Sequence, residues 1–342
     1  MARARAEING RDARATLTME TYTLIVLMLA ATIRVATPLV LAALAGMFSE
    51  RAGVVALGLE GMMLGAAFAS AAVAAVSGSA WLGLGAGVAT AVALALLIAF
   101  ATVTHRGNQV VTAVAINIMV SGLGPTLGLA WFNLGGQTPQ LDQAPQRFLA
   151  LAWPWAETAR AQPVPGLLYA ELLSGHNLLV YLAAALVPIS AWVFYRTRFG
   201  LRLRAVGENP HAVDTAGISV TRLRYAAVVI CGALCGVAGA YLATAASAGF
   251  TRDMTAGKGY LALAALIFGK WKPVPTLGAC LLFAFTDALA TRLQGVALPL
   301  VGVIPVQFIL ALPYVLTVLL LAGFVGKAVA PAAIGVPYSK EK

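Results

Sequence analysis

Glu60 stands alone as a carboxylate in an apolar run, GLEGMM, with Gly58, Gly61 and Gly65 around it. A charge at the centre of a bilayer costs about 2.5–3.5 kcal/mol on insertion scales, so such a group marks a cavity or a packed interior. Glycines at this spacing let backbones approach closely or let a helix break. Either Glu60 stands beside a path for a solute, or it holds a helix break in shape, satisfied by neighbouring backbone or by Arg34. The sequence leaves both readings open. Asn108, Thr112 and Asn117 follow in a later apolar run, with Thr112 and Asn117 spaced to share part of a helical face. Neutral polar groups of this kind hydrogen-bond a passing polar solute or a neighbouring helix.

A third polar run, FTRDMTAGKGY from Phe250 to Tyr260, opens a short apolar stretch. At 1.5 Å rise per residue, Gly257 to Gly269 reaches only about 20 Å, too short to cross as a straight helix. A broken or tilted helix is therefore expected, the kind that bounds solute sites in transporters. The run loosely parallels GVVALGLEGMMLGA in the first half, each a glycine-broken polar lead into a hydrophobic stretch. Phe250, Asp253 and Thr255 accordingly join Glu60, Asn108, Thr112 and Asn117 as candidate pathway residues.

Reactive chemistry finds no foothold. A P-loop needs glycine six positions before its lysine and Ser or Thr after it. Lys258, Lys270 and Lys327 have Arg252, Ala264 and Leu321 there, and none is followed by Ser or Thr. The Gly83, Gly85, Gly87 run lies within an apolar span and reads as helix packing. No nucleophile elbow or HExxH occurs. Cys231, Cys235 and Cys280 lie in apolar runs, and His105, His176 and His211 lack ligand spacing, so neither a metal nor a cofactor is expected.

The elements that position these groups are membrane helices. Of 342 residues, 60% are hydrophobic and the mean hydropathy is +0.86, well above the apolar share of about 45–50% in soluble domains. Runs near the ~18–20 residues that cross a bilayer recur throughout. Spans are expected at Tyr22 to Ala45, Val54 to Val76, Trp81 to Val103, Val110 to Phe132, Leu178 to Tyr195, Tyr225 to Ala246, Thr276 to Thr291 and Val303 to Phe324, with Tyr260 to Phe268 as a shorter segment. The expected fold is an all-α integral membrane protein, a polytopic bundle of about 8–10 helices with broken or re-entrant segments. Residues 1–20 read as a mobile tail, 21–325 as the membrane domain and 326–342 as a second tail. Whether the Glu60 segment crosses or re-enters decides the side of the N-terminus.

The net charge of +10 raises the question of nucleic acid. The basic residues flank the spans, where the positive-inside rule puts them, and no basic patch is interleaved with aromatics. Anionic lipid is the expected partner of that charge, and nucleic acid is not. Residues 196–224 carry six arginines, two acids and one histidine and are placed in the cytoplasm, which puts residues 133–176 outside.

Together these segments resemble a known family. ERAGVVALGLEGMMLGA (50–66), RGNQVVTAVAIN (106–117), TRFGLRLRAVGENPHAVDTAGI (197–218), FTRDMTAGKGYLALAALIFGKW (250–271), LPYVLTVLLLAG (312–323) and APAAIGVPY (330–338) resemble the permease subunits of bacterial ABC importers, in the branched-chain amino acid and ribose-type family. Within it the chain most resembles permeases of simple-sugar and nucleoside uptake. One position departs: Ala56 stands where the pattern ERxGVxNxGLEG has asparagine. The resemblance implies a bacterial inner-membrane subunit that is not itself an enzyme. It also implies a second permease subunit, an ATP-binding subunit beneath and a solute-binding protein outside. It further implies a cytoplasmic coupling helix, here Asn209 to Gly217, with Glu208, Asn209, Pro210, His211, Asp214 and Gly217 as the residues facing the ATPase. Asn209 suits the N-cap, Pro210 the first turn and Gly217 the stop. A nucleoside is the expected solute, with a ribose-like sugar or a branched-chain amino acid as alternatives. An ion-coupled secondary transporter or channel is the rival class, for which Glu60 and Arg34 are the obvious embedded charges.

Overall fold

The computed structural model describes residues 2–142, 144–160, 165–294 and 328–340, with positions 297–298, 302–303, 307–309, 311, 315 and 319 besides. The span expected at Val303 to Phe324 therefore lies almost wholly outside the described residues. In chain order the helices are α1 (Ala2–Arg51), α2 (Leu59–Ser77), α3 (Ala80–Ala99), α4 (Gln109–Phe132), α5 (Ala156–Arg160), α6 (Pro165–Leu168), α7 (Leu178–Arg196), α8 (Arg198–Glu208), α9 (Pro210–Thr215), α10 (Val220–Tyr241), α11 (Lys258–Phe268) and α12 (Pro273–Leu293). Apolar runs become helices because, without water, only a helix satisfies every backbone group within one segment. Among the described residues seven helices are long and apolar enough to cross a membrane, α2 included, whereas α11 is not. The backbone of α1 is helical from Ala2, and its candidate membrane span is Thr21–Arg51.

The bundle is knit by small residues. α2 and α10 are the most buried spans, and α3 packs on both. A Cβ at Gly87 of α3 would sit 2.9 Å from the Ala66 carbonyl of α2, and one at Gly236 of α10 2.5 Å from Val88 Cα. Gly239 lies against the Met63 carbonyl with no room for a side chain. Without a hydrophobic drive between helices in lipid, such close approach supplies the packing energy. Gly85, two residues from Gly87, points to open space, so the glycine run is helix packing on one face only. Cys231, Cys235 and Cys280 are buried free thiols within the same bundle.

Two stretches break the helical pattern inside the bundle, residues 52–58 before α2 and 247–257 before α11. α10 itself ends in a five-residue π-turn, Leu242–Ala246, of the kind common near functional sites. Residues 133–142 and 144–160, within the segment expected outside, include stretches of chain that fold back over this region. Leu141 N–H donates to the Ala248 carbonyl (2.9 Å) and Phe148 N–H to the Thr244 carbonyl (3.0 Å). Within that segment β1 (Ala150–Leu151) pairs antiparallel with β2 (His176–Asn177). A second pair joins β3 (Ala297–Leu298) to β4 (Gly302–Val303).

Gly239→Val is expected to lower the yield of monodisperse protein in detergent several-fold, because overpacking against backbone costs about 1–3 kcal/mol or more. Gly85→Val should leave the yield unchanged, so a matched pair of size-exclusion profiles checks the packing face.

Candidate pathway cavity and coupling face

α2 and α11 both begin at glycine, Gly58 and Gly257, and neither N-cap residue offers a side-chain hydrogen bond. The first N–H groups of a helix have no partner within it, which is costly away from water. The bundle supplies those partners from other helices. Glu60, in the first turn of α2, accepts from Gly257 N–H at Oε1 (2.9 Å) and from Gly259 N–H at Oε2 (2.6 Å). Asn117 of α4 accepts from Gly61 N–H at Oδ1 (2.8 Å) and donates through Nδ2 to the Leu57 carbonyl (2.9 Å) and the Tyr260 hydroxyl (2.8 Å). Gln109, the first residue of α4, accepts from Val55 N–H at 2.7 Å.

A closed circuit results: α2 caps α11, Tyr260 of α11 meets Asn117, and Asn117 caps α2. Hydrogen bonds to a charged group contribute about 1.5–3 kcal/mol each, and a carboxylate at a helix N-terminus adds up to ~2 kcal/mol. Together these offset the cost of placing Glu60 in the bundle. Glycine is required where the circuit closes. A Cβ at Gly259 would lie 2.6 Å from Glu60 N, and one at Gly61 2.7 Å from Asn117 Oδ1.

Beside the circuit lies a cavity of about 280 Å³, lined by Glu60, Gly61, Leu64, Asn117, Ile118, Ser121, Asp253, Thr255, Ala256, Gly257 and Tyr260, close to the lower end of the ~300–1,000 Å³ common for small-molecule sites. Irregular backbone at membrane depth is tolerated where it lines a cavity or is buried in protein, and residues 253–257 meet that condition. Four expected pathway residues, Glu60, Asn117, Asp253 and Thr255, are thus brought together. Three are not. Asn108 is the N-cap of α4, accepting from Val110 and Val111 N–H (3.0 and 3.1 Å). Thr112 turns its hydroxyl back to the Asn108 carbonyl (2.9 Å). Phe250 is buried against the Phe68 ring, 5.3 Å between centroids. Arg34 is not Glu60's partner either; its Nε donates to the Ala30 carbonyl of its own helix (3.3 Å). Sequence reasoning missed Tyr260 and Ser121, although Ser121 lies four residues after Asn117 and so on the same helical face.

Beside the end of α1, α9 has the caps expected of it. Asn209 Oδ1 accepts from Ala212 N–H (3.1 Å), Pro210 occupies the first turn, and Gly217 takes φ +77°. α8 was not expected as a separate helix; the Thr197 hydroxyl accepts from Gly200 N–H (3.1 Å) and starts it. The two enclose an apolar groove of about 430 Å³ between Leu201, Ala205, Ala212 and Ala216.

Three of the residues assigned to an ATPase are met by this chain's own residues 331–340. Glu208 Oε2 accepts weakly from Ala332 N–H (3.5 Å), the His211 ring lies 5.3 Å from that of Tyr338, and Asp214 is 4.0 Å from Lys340 Nζ. The arginines divide by burial. Arg196, Arg198, Arg202 and Arg222 are exposed, and Arg204 lies over the Tyr195 ring at 5.1 Å. Arg224 is buried and donates to the Ala52 (3.1 Å) and Val336 (3.1 Å) carbonyls, tying α10 to the α1–α2 link and to the C-terminal segment.

Residues 28–331 match the family model of the branched-chain amino acid transport system permease component. The chain is 40% identical to the guanosine ABC transporter permease protein NupQ of Bacillus subtilis, over 95% of this chain and 100% of that one. It is 39% identical to the nucleoside ABC transporter permease protein NupC of Lactococcus lactis, over 90% and 94%. A putative glucose ABC transporter permease protein of Haloferax volcanii is 34% identical over 81% and 82%. The chain belongs to this family of transport permease components and is a multi-pass membrane protein of the bacterial plasma membrane.

Glu60→Gln keeps the size of the side chain but turns an acceptor oxygen into a donor facing an N–H. A loss of about 1–3 kcal/mol is expected from the unsatisfied pair, read as a lowered Tm of the purified protein. Gly259→Ala should be at least as damaging.

Proposed function

We propose that this permease forms the membrane path of an ABC importer for a nucleoside, driven by ATP hydrolysed on a separate subunit. The observation that carries the reading is the end-to-end relation to NupQ, whose name specifies guanosine. The cavity chemistry supports it. A nucleoside offers hydroxyls, ring nitrogens and a flat base, and the lining offers the Asp253 carboxylate, the Thr255 and Ser121 hydroxyls and the Tyr260 ring. In this reading Glu60 and Asn117 shape the cavity wall, since their polar atoms are already engaged by backbone and by Tyr260. A sugar is the second reading, favoured by the Haloferax volcanii relative named for glucose.

The same reading assigns partners. An ATP-binding subunit docks on α9 and the α8–α9 groove, with Asn209, Pro210 and Gly217 giving the helix its shape and Glu208, His211 and Asp214 beside the chain's own C-terminal segment. A second permease subunit completes the path, and a solute-binding protein docks on the face formed by residues 133–176. Lipid headgroups take the exposed arginines, whose charge is sequence-independent glue for an anionic leaflet.

Titrating the cognate solute-binding protein with guanosine, adenosine, ribose and glucose tests the substrate. Nucleosides are expected to bind at least 100-fold more tightly than the sugars, and the reverse order would replace the first reading with the second. Deleting residues 209–216, or Gly217→Trp, should abolish guanosine uptake by the reconstituted complex while the permease still inserts. Uptake at the wild-type rate would end the coupling assignment.

A further inference from the structure

α11 is gripped at both ends, and the second grip has no role in the reading above. At its far end the chain turns through Gly269 to Lys272, and Lys270 and Trp271 both adopt left-handed backbone, φ +51° and +53°. Two consecutive non-glycine residues in that region persist only where their surroundings hold them. The surroundings are the end of α1. The Arg51 guanidinium donates twice to the Trp271 carbonyl, from Nε (3.2 Å) and Nη2 (2.9 Å). The Trp271 indole Nε1–H donates to Glu50 Oε2 at 2.6 Å, and both side chains are buried. Glu50 Oε1 also accepts weakly from Ala56 N–H (3.4 Å), in the link that leads to α2.

Arg51 connects onward. Its Nη1 lies 4.0 Å from Glu208 Oε1 at the end of α8, and Gly207 is packed on the Arg51 carbonyl without space for a Cβ. α8 runs through Asn209 directly into α9. A continuous set of contacts therefore leads from α9 through Gly207 and Glu208 to Arg51, from Arg51 to Trp271, and along α11 to Gly257 at the cavity. α11 has 11 residues, about 16 Å at 1.5 Å per residue. It is too short to be anchored across the membrane, so displacement at Trp271 is delivered to its cavity end.

We propose that α11 is the connecting rod of this transporter, and that Glu50, Arg51 and Trp271 are positioning residues that fasten it to the coupling helices. The proposal rests on the ATPase-docking reading of α9. Movement of α8–α9 pulls on Arg51 and Glu50, the Trp271 turn follows as one body, and the Gly257–Tyr260 wall of the cavity shifts relative to α4. Packing alone would make Trp271 a filler for which any aromatic ring of that bulk serves; the indole N–H and the paired Arg51 bonds distinguish a fastening.

The test uses the assembled complex in proteoliposomes with its ATP-binding subunit and guanosine-loaded solute-binding protein, reading ATP hydrolysed per guanosine imported. Trp271→Phe keeps an aromatic ring, though a smaller one, and removes the Nε1–H; Arg51→Lys keeps the charge and the local volume and loses the paired donors. Each is expected to assemble, to retain stimulated ATPase, and to raise ATP consumed per guanosine at least tenfold. Should Trp271→Phe fail to assemble, Arg51→Lys carries the same readout. A wild-type ratio in the variant that assembles, including one reached with less complex, overturns the proposal, because a purely structural role lowers uptake and hydrolysis together. The complex lacking residues 209–216 separates the two readings. If that deletion transports normally, the docking assignment falls; if it is inactive while both point variants keep the wild-type ratio, only the connecting rod falls.

Discussion

A helix that starts inside an apolar bundle leaves several N–H groups without partners, and this fold meets that constraint twice with side chains borrowed from other helices. Glu60 supplies two acceptors to α11, and Asn117 supplies one to α2 while reaching Tyr260. Much else follows from it. Residues 61 and 259 have to be glycine because the borrowed side chains sit where a Cβ would be. The irregular stretches before α2 and α11 are tolerated because their polar groups face these acceptors and a cavity instead of lipid. The carboxylate is costly in the bundle only if considered alone; with two backbone donors and a helix N-terminus it is matched. Glu60 is thus the charged knot of this circuit, and the cavity is the space left beside it.

The face formed by residues 196–224 distributes its charge by a different logic. Four arginines of residues 196–224 reach solvent, one lies over a tyrosine ring, and Arg224 is withdrawn into the structure to collect two carbonyls from distant segments. The C-terminal segment that provides one of those carbonyls also has Ala333 N–H donating to Gly207 O (2.8 Å) and Gly335 N–H to Gly53 O (3.1 Å). It braces the α8–α9 pair against the α1–α2 link. The shape of this face is therefore a property of several chain segments held together, and α9 is one exposed part of it.

The seven spans among the described residues were legible because length and apolarity alone specify a membrane helix, and the caps of α9 were legible because Asn209, Pro210 and Gly217 carry conformational meaning wherever they occur. A Glu60 satisfied by backbone at a helix break was a legible reading, but which backbone was not: its partners are N–H groups 197 and 199 residues away, which every residue has and which leave no mark on a sequence. The same limit hid Arg51 and Trp271, whose contact is to a carbonyl. Asn108, Thr112 and Phe250 lie away from the cavity for a different reason. Their side chains are chemically able to meet a solute, but two are spent on local helix bonds and the third on an aromatic contact. α8 was overlooked because its arginines read as membrane-flanking charge, obscuring an amphipathic face of Leu203, Val206 and two glycines.

The two partners of the Glu60 carboxylate lie 197 and 199 residues downstream of it. During synthesis α2 is therefore made, and delivered to the membrane, long before the backbone that matches its charge exists. For that interval the carboxylate lacks these two backbone partners, which become available only when α11 is made. The late arrival of one short helix thus completes the hydrogen bonding of an early one.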